Sequence, residues 1–99
     1  MSQIQNHWQL FYFTGPGCQV CKVLEPQVRL MMADEFPQVE YRLIDVSNEM
    51  EVAAHHSVFT VPAIILLHES REYLREIRFV SVPQLRQKIS RLIALSQQE

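Results

Sequence analysis

The chain contains two cysteines, Cys18 and Cys21, and only two residues separate them. They directly follow the loop Thr14–Gly17 and stand at the start of a predicted helix, a context in which a Cys-x-x-Cys pair is typical of redox chemistry. Free backbone N–H groups and the helix dipole stabilise a thiolate in the first helical turn. We therefore predict that Cys18 is the nucleophile and that Cys21, one turn further on and more shielded, is the resolving thiol.

The same two thiols could instead bind a metal ion, because the chain also has four histidines. A zinc site needs about four ligands, however, and no histidine stands at ligand spacing from the cysteine pair. An iron–sulfur cluster held by four cysteines would have to be shared between chains. Two inert buried thiols are a further alternative, although the Gly-Pro-Gly loop and the helix start favour exposure of Cys18. We expect no metal and no other cofactor.

Length, charge and hydropathy limit the class of protein. The chain has 99 residues, of which 47% are hydrophobic, so we expect a single domain over residues 1–99 with one ordinary core. Its 9 basic and 11 acidic residues are scattered and give a net charge of -2, which predicts neither a nucleic-acid nor a membrane partner. The polar start and the short apolar runs predict no secretory signal and no membrane span, which favours a cytoplasmic location.

Four segments are predicted to be strands because they are rich in β-branched, aromatic or alternating apolar residues. They are Trp8–Phe13, Val39–Val46, Ile64–Leu67 and Tyr73–Phe79. The first two are joined by a predicted helix and should run parallel to each other. The last two are close in the chain and should form a hairpin.

Three segments are predicted to be helices. In the first, apolar residues recur at spacings of three and four from the cysteine pair to about Glu35. Asn48 and Glu51 resemble a capping box that opens a short second helix. Ser81 and Gln84 form the same pattern before the last helix. The order βαβαββα predicts an α/β fold in which helices flank a central four-stranded mixed sheet.

Several segments together resemble the thioredoxin family. They are the aromatic strand that leads into Gly-Cys-x-x-Cys-Lys, Pro26 after the second cysteine, the strand Leu43–Val46, and Thr60-Val61-Pro62-Ala63 before an apolar strand. The resemblance covers most of the chain. It implies the thioredoxin fold and a thiol–disulfide oxidoreductase, in which Cys18 attacks a substrate disulfide and Cys21 resolves the mixed disulfide.

The resemblance also implies a binding site and partners. In that family the proline at the position of Pro62 is cis and lies beside the redox pair, and the backbone of the preceding residue, here Val61, pairs with an extended substrate segment. Gly17, Thr60, Val61 and Pro62 are therefore expected to bind substrate. Protein or small-molecule disulfides would be the substrates, and a reductase or a low-molecular-weight thiol would be the electron donor.

Some positions depart from the thioredoxins proper. Gly17 stands where a tryptophan is usual, Gln19-Val20 replaces Gly-Pro, and Tyr12 occupies the place of a buried acid that helps to deprotonate the resolving cysteine. The first strand and helix of the family have no counterpart here, which brings the chain closer to a minimal, glutaredoxin-sized core. Glu25, four residues after Cys21 on the same helical face, is a candidate proton acceptor, with a solvated helix residue as the alternative.

Two functions remain open at the level of sequence. One is the dithiol oxidoreductase described above. The other is a non-catalytic binding or redox-sensing module that keeps the fold and holds a partner in the groove around Cys18, Val61 and Pro62. The direction of exchange depends on how strongly the thiolate is stabilised, which residue spacing does not reveal.

Overall fold

The computed structural model describes residues 7–97, so the first six and the last two residues of the predicted domain lie outside the described part. The elements are β1 (Trp8–Thr14), α1 (Gln19–Glu35), β2 (Val39–Asp45), α2 (Met50–His55), β3 (Ala63–His68), β4 (Arg71–Ile77) and α3 (Val82–Ser96). The predicted order βαβαββα is confirmed. Within the described residues, no helix is long and apolar enough to cross a membrane.

The four strands form one mixed sheet in the order β2-β1-β3-β4. β1 runs parallel to β2, with Trp8 opposite Val39 and Thr14 opposite Asp45. β3 is antiparallel to both β1 and β4. A parallel pair needs a long crossover connection, and α1 supplies it between β1 and β2. The redox pair begins this crossover, at the carboxyl end of β1.

Two hydrophobic cores lie on opposite faces of the sheet. Because side chains alternate along a strand, Leu10 and Tyr12 of β1 pack with residues of α1 and α3, whereas Phe11 and Phe13 pack with residues of α2. All four side chains are at most 6% exposed. Burial of one such side chain contributes about 1.5–3 kcal/mol, so the strand that leads to Cys18 is firmly fixed.

The start of α2 differs from the prediction. The helix begins at Met50 after Glu49, and no side chain caps it, so the predicted capping box at Asn48 is wrong. The backbone N–H groups of Asn48 and Glu49 instead donate to the carbonyl oxygen of Asp45, at 3.0 and 2.9 Å. A backbone turn after β2 therefore takes the place of a side-chain cap.

The connection from β4 to α3 is only partly as predicted. β4 ends at Ile77 rather than at Phe79, because Arg78 has a φ of 69°, which is incompatible with an extended strand. The cap of α3 is confirmed: Ser81 is the N-cap residue, and its hydroxyl accepts a hydrogen bond from the N–H of Gln84 at 3.3 Å.

Candidate active site

Cys18 and Cys21 form a disulfide at the amino end of α1, with their Cα atoms 5.4 Å apart. Cys18 is the N-cap residue of the helix, and its Sγ accepts a hydrogen bond from the N–H of Cys21 at 3.3 Å. The N–H of Cys18 donates to the carbonyl oxygen of Gly15 at 3.2 Å, which fixes the turn that leads into the helix. The fold thus brings the two thiols together at a helix N-terminus.

The two cysteines have different surroundings. Cys18 is partly exposed, whereas Cys21 is 4% exposed and belongs to the core between the sheet and the helices α1 and α3. The first turn of α1 contains no acidic residue that would oppose the positive end of the helix dipole. A partly exposed sulfur beside helical N–H groups is well placed to be a stabilised thiolate.

Two glycines shape the loop before Cys18 for different reasons. Gly17 has a φ of 80°, a conformation that glycine adopts without the steric cost of a Cβ atom, and nothing lies within 4 Å of the place a Cβ would take. At Gly15 a Cβ atom would lie 3.2 Å from a methyl group of Val46 and 3.7 Å from one of Val61. Gly15 therefore allows close packing of the loop, and Gly17 leaves the approach to the disulfide open.

The segment Thr60–Pro62 packs against and hydrogen-bonds to neighbouring parts of the site. The Val61–Pro62 peptide bond is cis, Pro62 is buried, and Thr60 and Val61 are partly exposed. The carbonyl oxygen of Pro62 accepts a hydrogen bond from the N–H of Arg78 at 2.9 Å. The segment thus lies between the Gly15 turn and the end of β4.

An open cavity of about 260 Å³ lies beside the disulfide. Its walls include Cys18, Cys21, Gly17, Lys22 and Glu25. The candidate proton acceptor and the resolving cysteine therefore line the same space, as their spacing along the helix indicates. Among residues 7–97, no three His, Cys, Asp or Glu side chains come together as a possible metal site.

The carboxylate of Glu25 is held by other side chains. It is 13% exposed, and its Oε2 accepts hydrogen bonds from the hydroxyl of Tyr41 at 2.8 Å and from Nε of Arg29 at 3.3 Å. Burial raises the pKa of Tyr41, and the hydrogen bond to Glu25 raises it further, so the hydroxyl stays protonated and donates. Glu25 is therefore not a solvated helix residue. Sequence reasoning missed Tyr41, although its alternation with Val39 places both on one face of β2.

Tyr12 is completely buried in the core that contains Cys21. Its hydroxyl has no hydrogen-bond partner among the residues that the structure describes. Burial raises the pKa of Tyr12 to about 12, and the negative charge of Glu25 acts in the same direction. Tyr12 is therefore neutral at physiological pH, and it offers no basic group to the core that contains Cys21.

The isolated hydroxyl leads to a stability prediction. Tyr12→Phe should raise the free energy of unfolding by about 1 kcal/mol, because it removes a buried polar group that makes no hydrogen bond. Tyr41→Phe is the matched control and should lower it by about 1.5 kcal/mol, because its hydroxyl donates to a carboxylate. Urea denaturation of the oxidised proteins measures both changes. A loss of stability in Tyr12→Phe would mean that the hydroxyl has a partner after all.

Comparison with known proteins points to one family. The family model described as Thioredoxin matches residues 1–91. The thioredoxin-like protein YdfQ of Bacillus subtilis (strain 168) is 40% identical over 95 residues, which make up 96% of this chain and 84% of that protein. Thioredoxin H-type of Fagopyrum esculentum is 33% identical over 63 residues, 64% of this chain and 53% of that protein. The solved structure of thioredoxin 1 from Thermosipho africanus TCF52B has a TM-score of 0.82 and 28% identity, covering 91% of this chain and 99% of that one.

Proposed function

The chain belongs to the thioredoxin family and is a thiol–disulfide oxidoreductase, and from this premise we propose how its residues divide the reaction. The thiolate of Cys18 attacks one sulfur of a substrate disulfide, forms a mixed disulfide and expels the other substrate sulfur as a thiolate. Cys21 then loses its proton and attacks Sγ of Cys18. The Cys18–Cys21 disulfide closes, the second substrate thiolate leaves, and two electrons have passed to the substrate.

The observation that carries this proposal is the asymmetry of the pair. Cys18 is partly exposed at the N-cap of α1, and its sulfur accepts a hydrogen bond from a helical N–H group. Cys21 is 4% exposed, so a substrate disulfide has far less access to it. These two environments support attack by Cys18 and resolution by Cys21.

The proposed substrate site lies on the open side of the disulfide. Gly17 leaves space in front of Cys18, and the partly exposed Thr60 and Val61 offer backbone groups to an extended segment. Pro62 has no N–H group, so it does not compete with substrate for such hydrogen bonds.

Glu25 is the proposed proton acceptor for Cys21. Its carboxylate lines the cavity that both cysteines line, and Tyr41 holds it there by a hydrogen bond of 2.8 Å. The neutral Tyr12 cannot take this role. In this proposal the Glu25 carboxylate, which lines the same cavity as the shielded thiol, supplies the base that resolution requires.

Proteins of this family act on protein disulfides and are reduced by a reductase or a thiol. For this chain we propose protein or small-molecule disulfides as substrates, with a reductase or a low-molecular-weight thiol as the donor. A cytoplasmic location is part of the same proposal, since such donors keep thiols reduced in that compartment.

The proposal is tested by the reactivity of the two thiols and by the potential of the pair. Iodoacetamide should modify Cys18 first, with an apparent pKa below the ~8.5 of a free cysteine, as followed by mass spectrometry of the labelled peptides. The reduction potential should lie between about −180 and −270 mV, the range of exchange-active dithiols. Dithiothreitol should then support catalytic reduction of a protein disulfide.

Three outcomes would contradict this division of roles. Faster labelling of Cys21 would reverse the two cysteines. A potential well below about −300 mV without turnover would mark a structural disulfide and favour the binding module. A Cys18 that titrates like a free thiol would remove the proposed role of the helix N-terminus.

A further inference from the structure

A second cavity, of about 440 Å³, opens between the first turn of α1 and the segment that joins β4 to α3, and we call it the side groove. Val20, which stands between the two cysteines, lines it together with Arg78 and Phe79. The N–H of Arg78 donates to the carbonyl oxygen of Pro62, so the side groove adjoins the proposed substrate segment.

The side groove exposes apolar side chains. Phe79 is 89% exposed and Val20 is 55% exposed. Burial of such apolar side chains away from water would lower their free energy. Scattered exposed apolar residues are ordinary, but these two line one cavity beside a reactive disulfide. Grouped apolar side chains at a functional site are typical of a binding surface.

The two charged residues that line the side groove, Glu76 and Arg78, differ in whether another side chain pairs with them. Glu76, its acidic residue, forms an ion pair with Lys88 at 2.6 Å, which offsets its charge. The side chain of Arg78 forms no hydrogen bond or ion pair with the residues that the structure describes. Lys22 also has no such partner there, and it lines the cavity beside the disulfide. An incoming carboxylate would therefore meet a cation that the protein itself has not neutralised.

The backbone of Arg78 adds an independent observation. Its φ of 69° is in the left-handed region, which glycine adopts freely and other residues adopt only at a cost. A strained residue at a site edge is a reason to look for a function of its side chain. Arg78 is one of the residues that line the side groove.

We propose that Arg78, at the edge of the proposed substrate site, selects protein substrates that carry a carboxylate near the reactive cysteine. This specificity rests on the proposed function of Cys18. The preferred substrate segment is extended, packs an apolar side chain against Val20 and Phe79, and places an Asp or Glu opposite Arg78. Because the charge pair would form at an exposed rim, its effect on the rate is a few-fold.

The test uses three synthetic disulfide peptides that differ only in one residue beside the cysteine, which is Glu, Gln or Lys. Their reduction by the fully reduced protein is followed by chromatography of the released thiol. The Glu peptide should react about three- to fivefold faster than the Gln peptide, and the Lys peptide should be slowest. The differences should shrink at high salt, because screening weakens exposed charge pairs.

Two variants of Arg78 separate charge from backbone strain. Arg78→Gln keeps the strained backbone and Arg78→Gly relieves it, yet both should abolish the preference for the Glu peptide. Arg78→Gly should also have an unchanged or higher thermal midpoint. Arg71→Gln, at the opposite end of β4, is the matched control and should keep the preference.

The outcomes distinguish this proposal from the one it rests on. Equal rates with all three peptides, while reduction proceeds normally, would overturn the specificity and leave the roles of the cysteines intact. A preference that persists in both Arg78 variants would overturn the assignment to Arg78. No reaction with any peptide, together with a Cys18 that titrates like a free thiol, would overturn the proposed function itself.

Discussion

Reduced Cys21→Ser should accumulate a mixed disulfide through Cys18 when it meets a disulfide-containing protein. Attack needs only the partly exposed sulfur at the N-cap, and this sulfur is unchanged in the variant. Resolution needs a second thiol, and serine has none, so the intermediate is not released. Catalytic turnover with dithiothreitol should fall by about a thousandfold or more, since the two thiols act as a unit. Non-reducing electrophoresis and mass spectrometry measure the trapped species.

Cys18→Ser is the matched control for this experiment. Both variants lose the same disulfide, so a difference in trapping between them does not come from the loss of that cross-link. Cys18→Ser should trap nothing, because Cys21 is 4% exposed. Trapping by Cys18→Ser alone would show that Cys21 is the nucleophile, and trapping by neither variant would refute the proposed mixed-disulfide step.

The sheet and the order of the elements could be predicted because the hydrophobic period changes clearly along the chain. The aromatic run from Trp8 and the apolar run from Ile64 each belong to strands buried on both faces. The cap formed by Ser81 and Gln84 was also predictable, since it depends on residues only three apart. Such local sequence patterns predict the fold correctly where the local preference and the tertiary structure favour the same conformation.

The predictions that proved wrong concern places where the backbone conformation leaves no characteristic residue pattern in the sequence. Asn48 resembles an N-cap residue, but its own N–H is used in a turn on the carbonyl oxygen of Asp45. Tyr73–Phe79 reads as one alternating strand, but Arg78 takes a left-handed conformation that few arginines adopt. The hydrogen bond from Arg78 to Pro62 joins distant parts of the chain, so no local pattern could predict it.

The site could be predicted only where it depends on the spacing of residues along one helix. The spacing of four residues places Glu25 on the same face of α1 as Cys21, and both line one cavity. The spacing does not show whether the Glu25 carboxylate is exposed to solvent or hydrogen-bonded within the protein. The answer comes from Tyr41, 16 residues further along the chain on β2. Only the packing of α1 across the sheet brings these two side chains together.

Glu25→Gln should slow the resolution of the mixed disulfide by about a hundredfold at neutral pH, within the range of a lost general base. The amide still accepts a hydrogen bond from Tyr41 but does not take the proton of Cys21. The rate of resolution should then rise about tenfold per pH unit until Cys21 is itself ionised, because only solvent base is left to take its proton. Stopped-flow measurement of a preformed mixed disulfide at several pH values tests this, while labelling of Cys18 by iodoacetamide should change little.

Two further variants show whether the effect belongs to the positioned carboxylate. Tyr41→Phe should move the pH profile in the same direction by a smaller amount, because the carboxylate remains but loses its 2.8 Å hydrogen bond. Glu35→Gln, at the far end of α1 beside Arg86, should leave the profile unchanged. Burial raises the pKa of Tyr41 and of Tyr12, so neither tyrosine titrates in the range studied. A wild-type profile in Glu25→Gln would therefore mean that Cys21 gives its proton directly to solvent through the open cavity.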